Sequence, residues 1–207
     1  MIEDTGIYWY CGYTGVSKTR SAVVDGWAAR DRRDCPLVVV DGGRVWNFQD
    51  YEHTPDVRTL THRVWTDRAK SVAISPEDEI EVDQLFGLAR RLKDVVLLVD
   101  EAADWIDENG VPKRIRRTLR QWRHGRLLII FTTQRLQDIN PKAMAVHKEI
   151  RIFRIVESAG HDRLWERWKI KAEEVLTLPD EKYITIREGV PCRNPDGSLI
   201  VKTSLDS

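Results

Sequence analysis

The stretch that most constrains this 207-residue chain is Ile7 to Thr19, IYWYCGYTGVSKT. Apolar and aromatic residues run straight into Gly12-Tyr13-Thr14-Gly15-Val16-Ser17-Lys18-Thr19. The pattern predicts a buried strand, a glycine-containing loop and a helix beginning around Lys18. Such a loop is a phosphate cradle. Its backbone N–H groups, and those of the first helical turn, have no intrahelical partner, and the helix dipole favours negative charge there. In this reading Lys18 reaches the β- and γ-phosphates of a nucleotide and the Thr19 hydroxyl ligates Mg²⁺. The spacing Gly12-x4-Ser17-Lys18-Thr19 departs from the usual pattern at one place, Ser17, where glycine is common. For this segment alone the plainer alternative is a turn with an incidental Lys-Thr.

The rest of the chain bounds that reading. Composition is 42% hydrophobic and 32% charged, that of a soluble globular protein. One domain over 1–207 is expected, with a core over about 5–170 and a β extension over about 171–207. The longest apolar runs, VVLLV and LLIIF, are too short to span a bilayer. Acidic and aromatic residues stand where a signal peptide would carry a basic end and an apolar region, so a soluble, intracellular protein is expected. The formal net charge of +0 leaves nucleic-acid attraction to local patches. Cys11, Cys35 and Cys192 have no metal-ligand spacing and are odd in number, which argues against a disulfide framework or zinc site. Cys11 reads as a small buried hydrophobe. Trp122, Trp165 and Trp168 fall in helical segments and suggest core or subunit-interface packing.

After the loop, Ser21 to Arg32 is a plausible helix with Ala22, Val23, Trp27 and Ala28 on its apolar side. Leu37 to Val40, closed by Asp41-Gly42-Gly43, is a short all-apolar strand suited to a parallel sheet covered on both faces. Between 44 and 70, Trp46, Phe48, Tyr51 and Trp65 are interleaved with Arg44, Arg58, His62, Arg63, Arg68 and Lys70. That mixture suits a stacking surface for single strands, or an excursion pinned down by its aromatics. Ser71 to Ile74 reads as a strand. Ser75-Pro76-Glu77-Asp78 reads as a helix start capped by Ser75, with Ile80, Leu85, Leu88, Ala89 and Leu92 available for burial.

A second landmark follows. Val95 to Val99 is an apolar strand ending in Asp100-Glu101-Ala102. Acidic residues at the end of a buried strand are costly unless they serve something cationic. Behind a phosphate loop, Asp100 is placed to hold the Mg²⁺ shell and Glu101 to orient or deprotonate an attacking water. A strand meeting a helix N-terminus is the alternative for this segment alone. Beyond the Asn109-Gly110 turn, Lys113 to His124 is a helix with Ile115, Leu119 and Trp122 as its apolar stripe. Lys113, Arg114, Arg116, Arg117, Arg120 and Arg123, then Arg126, crowd the remainder, and no carboxylate occurs from Gly110 through Gln137. Like charges at this spacing repel unless a partner is present. DNA phosphates, a neighbouring subunit's nucleotide and plain solvation are the alternatives. Leu127 to Phe131 leads into Thr132-Thr133-Gln134-Arg135, where an amide at a strand tip can sense a γ-phosphate and hold water. Asp138-Ile139-Asn140-Pro141 starts a short helix. Glu149 to Val156 alternates like a strand with one wetter face, Ser158 to Trp168 is an amphipathic helix, and Lys182 to Arg187 and Leu199 to Lys202 read as small β additions at the sheet edge.

Taken together, GYTGVSKT, VVLLVDEA, IIFTTQRLQDINPKAM and KEIRIFRI resemble the HerA/FtsK superfamily of P-loop DNA-translocating ATPases. The likeness is closest to the compact members that package genomes in tailless icosahedral viruses with an internal membrane. It spans residues 7 to 156, and LPDEKYITIREGVP looks like the closing strand. The resemblance implies an α/β, RecA-like (ASCE) P-loop NTPase with strand order 5-1-4-3-2, a mostly parallel central sheet flanked by helices and a small C-terminal β addition. It implies ATP and Mg²⁺ as cofactors, double-stranded DNA as partner, a homo-oligomeric ring of five or six subunits, and capsid or portal-vertex contacts. Localisation would be the infected host's cytoplasm or a virion vertex. Residue by residue, Lys18 and Thr19 would bind phosphate and Mg²⁺, Asp100 would support the metal, Glu101 would be the catalytic base and Gln134 the strand-end sensor. The family uses an arginine in trans whose position varies, so Arg117, Arg120, Arg123 and Arg126 are its candidates. Ser17 is the departure. The short N-terminal side fits a viral motor better than a cellular HerA-type translocase. A Zot-like phage export ATPase, a non-hydrolysing nucleotide-binding scaffold and a small-molecule phosphotransferase are the other readings.

Overall fold

The structure, a computed structural model, describes residues 2–41, 51–107 and 110–204. Its centre is a ten-stranded sheet. The strands are β1 (Gly6–Cys11), β2 (Leu37–Val40), β3 (Glu52–Thr54), β4 (Ser71–Ile74), β5 (Val96–Val99), β6 (Leu128–Thr133), β7 (Glu149–Ile152), β8 (Lys182–Arg187), β9 (Val190–Pro191) and β10 (Val201–Thr203). The helices are α1 (Lys18–Arg33), α2 (Val57–Trp65), α3 (Glu79–Leu92), α4 (Lys113–Gly125), α5 (Pro141–Met144), α6 (Ser158–Trp168) and α7 (Ala172–Leu176). Short 3₁₀ turns lie at Ala102–Asp104 and Leu136–Asp138.

The strand order is β10-β8-β7-β1-β6-β5-β2-β4-β3, with β9 paired to β8. Its middle, β7-β1-β6-β5-β2, is 5-1-4-3-2 when those five are numbered among themselves, and every pairing within it is parallel. β6 therefore lies between β1 and β5. Gly6 pairs with Leu128 and Cys11 with Thr133, while Val96 pairs with Leu128 and Val99 with Phe131. This register brings the residues that follow β1, β5 and β6 to one end of the sheet. β8 runs antiparallel to β7, and β9 and β10 antiparallel to β8, forming the C-terminal addition.

Alternation along β1 sends its side chains to two cores. Ile7, Trp9 and Cys11 join a cluster with Leu85, Ile115, Leu119 and Trp122 from α3 and α4. Trp9 stacks on Phe131 with ring centroids 4.2 Å apart. Tyr8 and Tyr10 join the opposite cluster, which holds Ala22, Val23 and Ala29 of α1. Helices α1 and α4 thus cover opposite faces. Both faces being buried, the strands read as continuous apolar runs.

Several local expectations shift. The acidic stretch before α3 is capped by Asp78, whose side chain accepts from Glu81 N–H, so Ser75 and Pro76 precede the helix. That later start turns Ile80 outward, 65% exposed, while Leu85, Leu88 and Ala89 are buried. The expected wetter face of β7 is not wet: Glu149 and Arg151 are buried. α1 and β8 cover that face, and its charges pair internally. Arg151 Nη1 is 2.7 Å from Asp25 and its Nε 2.9 Å from Glu149, with the guanidinium over the Tyr10 and Tyr183 rings. Trp122 and Trp168 are buried, whereas Trp165 is half exposed. Tyr51 stacks on Trp27, while Trp65 is exposed. Arg44, Trp46 and Phe48 lie outside the described residues, as does Asn109. No helix among the described residues is long and apolar enough to cross a membrane.

Candidate active site

The path of the loop after β1 depends on two glycines. Gly12 has no alternative: an added Cβ would stand 2.6 Å from the Phe153 Cβ, so β7 could not pass this close to another residue. Gly15 is required for a different reason, a φ of +87° that side-chain-bearing residues seldom adopt. Ser17 sits at φ −69°, a conformation open to any residue, so its departure from glycine costs no backbone strain. It precedes α1 without a side-chain cap, and the first turn of α1 carries no acidic residue. Nothing in that turn competes with an anion for the helix dipole.

The strand order converts three separate strand ends into one cavity of about 520 Å³, lined by residues 14–20 together with Asp100, Glu101 and Gln134. Lys18 is buried and its Nζ lies 3.2 Å from Glu101 Oε1. The Thr19 hydroxyl lies 3.3 Å from Asp100 Oδ1. Glu101 is held on both oxygens: Gln134 Nε2 donates to Oε1 at 2.8 Å and Gln134 N–H to Oε2 at 3.1 Å. Thr14 donates its hydroxyl to the Gln134 side-chain oxygen, so one amide ties the phosphate loop to the acidic pair. Glu101 itself adopts a left-handed backbone conformation, φ 47° and ψ 58°, which is uncommon for a side-chain-bearing residue and gathers at functional sites.

Asp100 is buried, and that burial pushes its carboxyl above the usual carboxylate range, partly opposed by the hydrogen bond from Thr132. Thr132 also accepts the Glu101 N–H at 3.2 Å. It was absent from the sequence-derived site; its signal was a hydroxyl one residue short of the polar strand tip, on the face that β5 shares. For Mg²⁺, the Asp100 carboxylate and the Thr19 hydroxyl are adjacent hard oxygen donors, which fits an ion bound through one or two protein oxygens and otherwise by water and phosphate.

Of the expected site residues, Thr14 through Thr19 come together with Asp100, Glu101 and Gln134, whereas Gly12 and Tyr13 do not line the cavity and donate their N–H groups to the Thr133 and Arg154 carbonyls. The four arginines lie elsewhere. Arg117, Arg120, Arg123 and Arg126 line no part of this cavity and belong to α4 and its C-terminal cap, across the sheet from α1. Arg126 precedes β6, at the far end of the sheet from Gln134, and pairs with Asp94 at 3.8 Å. Arg123 stacks over Trp122, and Arg117 reaches Gln121 at 3.4 Å. The helix, without carboxylates nearby in sequence, is partly neutralised in space: Asp83 of α3 accepts from the N–H groups of Arg114 and Ile115. Among the described residues the Arg120 side chain has no hydrogen-bond or ion-pair partner, and with Arg116 and Lys142 it lines a cleft of about 290 Å³ between α4 and α5.

Two further residues border the loop that sequence reasoning did not single out. Arg154 carbonyl accepts the Tyr13 N–H at 2.9 Å, and Asp180 carbonyl accepts the Ser17 N–H at 3.0 Å. Their side chains pair with each other at 2.6 Å. Asp180 has no sequence signal beyond a Leu-Pro-Asp turn.

No family model matches the sequence, and no curated protein does either. Solved structures do match. The genome packaging NTPase B204 from Sulfolobus turreted icosahedral virus 2, in complex with AMPPCP, aligns with a TM-score of 0.74 at 18% identity over 97% of each chain. The DNA-packaging ATPase B204 from Sulfolobus Turreted Icosahedral Virus aligns at 0.72 and 17%, over 98% of this chain and 97% of that one. The pCW3 conjugation coupling protein TcpA, with ATPγS, aligns at 0.60 and 13% over 90% of this chain and 58% of its own. The resemblance drawn from four strand-end motifs therefore extends to the whole fold, which is that of the B204 packaging NTPases and, less closely, of the TcpA coupling protein.

Proposed function

We propose that this chain is an ATPase that couples hydrolysis to translocation of double-stranded DNA, as a viral genome-packaging motor. One observation carries the enzymatic part: Glu101 is clamped on both oxygens by Gln134 while Lys18 and the Thr19–Asp100 pair stand beside it. A carboxylate fixed this way orients a water for in-line attack on the γ-phosphorus of ATP. The bond from that phosphorus to the β,γ-bridging oxygen breaks, ADP and phosphate leave, and the water's proton passes to Glu101 and on to solvent. Lys18 exchanges its Glu101 contact for phosphate oxygens, which frees the Oε1 edge to face the water. Thr19 and Asp100 would hold Mg²⁺, which when bound neutralises phosphate charge.

Support for DNA as the partner comes from the fold likeness to packaging and coupling ATPases and from the cleft between α4 and α5. Arg116, Arg120 and Lys142 line that cleft with no carboxylate among the described lining residues, a setting that suits backbone phosphates. None of the four candidate arginines lines the ATP cavity of its own subunit, so any of the four that acts in catalysis would do so in a neighbour's site within a ring, while Arg20 lines the cavity of its own chain. The deciding experiment is Mg-ATP hydrolysis with and without duplex DNA, alongside mass measurement of the assembly. Hydrolysis that DNA stimulates and Glu101→Gln abolishes supports the reading. A Glu101→Gln rate equal to wild type removes it.

A further inference from the structure

Among the donors of the phosphate loop, Tyr13 N–H bonds the Arg154 carbonyl, Lys18 N–H bonds the Val16 carbonyl, and Ser17 N–H reaches the C-terminal part of the chain. Ser17 N–H belongs to the set of unpaired amides that a phosphate cradle offers at a helix start. Here it donates to the carbonyl oxygen of Asp180, 3.0 Å away, in the turn between α7 and β8. A carbonyl oxygen is the negative end of a neutral dipole, and this one, although Asp180 does not itself line the cavity, occupies an amide of a residue that does. The turn does not rest there by that bond alone. Asp180 Oδ1 meets Arg154 Nη2 at 2.6 Å, and Arg154 in turn supports the start of the loop through its carbonyl and Tyr13 N–H at 2.9 Å. Arg154 thus grips the loop with its backbone and the turn with its side chain.

The same turn is wired to the C-terminal strands. Lys182 N–H, opening β8, donates to Pro179 carbonyl at 2.9 Å, and Ser204 N–H, just past β10, donates to Glu181 carbonyl at 2.8 Å. Lys182 is also the register partner of Thr203. A displacement of Asp180 must therefore be absorbed at the edge of the sheet formed by β8 and β10, some hundred and sixty residues after the loop.

We propose that the Leu178–Glu181 turn is a gate on the phosphate loop: nucleotide phosphate and the Asp180 carbonyl compete for Ser17 N–H, and filling the site releases the turn. The Arg154–Asp180 ion pair is the latch, and the C-terminal strands carry the readout. This rests on the nucleotide-binding reading above and adds to it a conformational cost located outside the motifs. A closed gate lowers the fraction of molecules competent to bind, so apparent affinity is weakened by that fraction.

The test measures binding of a non-hydrolysable ATP analogue with Mg²⁺ to wild type, Arg154→Ala and Asp180→Ala, and amide exchange over residues 176–190 with and without the analogue. Opening the latch should tighten apparent binding by about two- to fivefold in both variants, the range expected for one partly exposed ion pair. In wild type the analogue should speed exchange at Lys182, whose N–H bonds Pro179, by about fivefold or more, and this difference should shrink in the variants. Two variants guard against one failing to fold. Analogue binding with unchanged or slower exchange over the turn, or variants that bind no better than wild type, overturns the gate and leaves the nucleotide site standing. Absence of binding by wild type and both variants removes the nucleotide reading and the gate with it.

Discussion

Gln134 and Glu101 are joined twice, by the side-chain amide at 2.8 Å and the backbone N–H at 3.1 Å, so that neither carboxylate oxygen is free to turn. The arrangement follows from β6 lying beside β5: Gln134, the first residue past β6, meets Glu101, the second residue past β5. Removing the amide while keeping the fold isolates its role. Gln134→Ala should lower the hydrolysis rate by about 10²-fold, within the range for losing a positioned proton-transfer group, with nucleotide affinity changed little. Turnover and analogue binding measured on the same preparation check this, and a rate within a factor of two of wild type would sink it.

Ser17 should prove neutral to nucleotide affinity and favourable to stability. Its φ of −69° needs no glycine. Ser17→Gly should therefore leave affinity for the ATP analogue within about threefold, while lowering stability by about 0.5–1 kcal/mol through a more flexible unfolded chain. Denaturant melts beside binding titrations read both. A large gain in affinity on restoring glycine would contradict this.

The two loop glycines should fail differently. Gly12→Ala drives a Cβ against Phe153 Cβ at 2.6 Å, between backbone segments that cannot yield, and should destabilise the protein by about 1–3 kcal/mol. Gly15→Ala meets nothing within 4 Å and is penalised only by φ +87°. Its effect should fall on phosphate binding, with about 1 kcal/mol or less in global stability. Thermal melts and analogue titrations of the pair distinguish the two mechanisms.

Glu149 gives a pH signature. Burial alone would raise its carboxyl, but hydrogen bonds and charge from Arg151 and then Arg187 outweigh that and hold it below the usual range. A carboxyl depressed in the folded state contributes stability above its unfolded pKa and loses it as pH falls through the folded one. Glu149→Gln should therefore cost about 1–3 kcal/mol near neutrality. The gap from wild type should narrow once pH drops below about 4.3, the unfolded value for Glu. Melts between neutrality and strong acid test this; a gap that widens in acid would be inconsistent with it.

Arg120 separates charge from structure. With no hydrogen bond or ion pair to its side chain among the described residues, Arg120→Ala should leave stability within about 0.5 kcal/mol. If the α4–α5 cleft receives DNA phosphate, the same change should reduce the salt slope of duplex binding by about one. Titrations at several salt concentrations decide it, and an unchanged slope would exclude Arg120 from the DNA contact.

Strands and site were legible in the sequence for one reason. A parallel strand buried on both faces is an unbroken apolar run, so the polar residue that ends it, whether Gly12, Asp100 or Gln134, stands out. Segments governed by tertiary pairing were harder. The alternation of Glu149 and Arg151 looks like a solvent face because Asp25, the partner of Arg151, and Arg187, a partner of Glu149, lie far away in the chain. The basic helix looked unneutralised because Asp83 and Asp94 come from α3 and the stretch after it. The start of α3 was misplaced because Ser75 and Asp78 are both competent caps, and only packing chooses between them. Asp180 reaches Ser17 through a backbone atom, which carries no residue-type signature.

The insertion of β6 between β1 and β5 has a consequence for how the molecule matures. Thr14 meets Gln134 at a sequence separation of 120, and Lys18 meets Glu101 across most of that distance. Neither contact can form until a strand from the second half of the chain has threaded between two earlier ones. Such non-local parallel pairing is slow to form. A species in which β6 is not yet seated between β1 and β5 lacks the nucleotide cavity, so ligand added during folding should rescue only molecules with that strand in place.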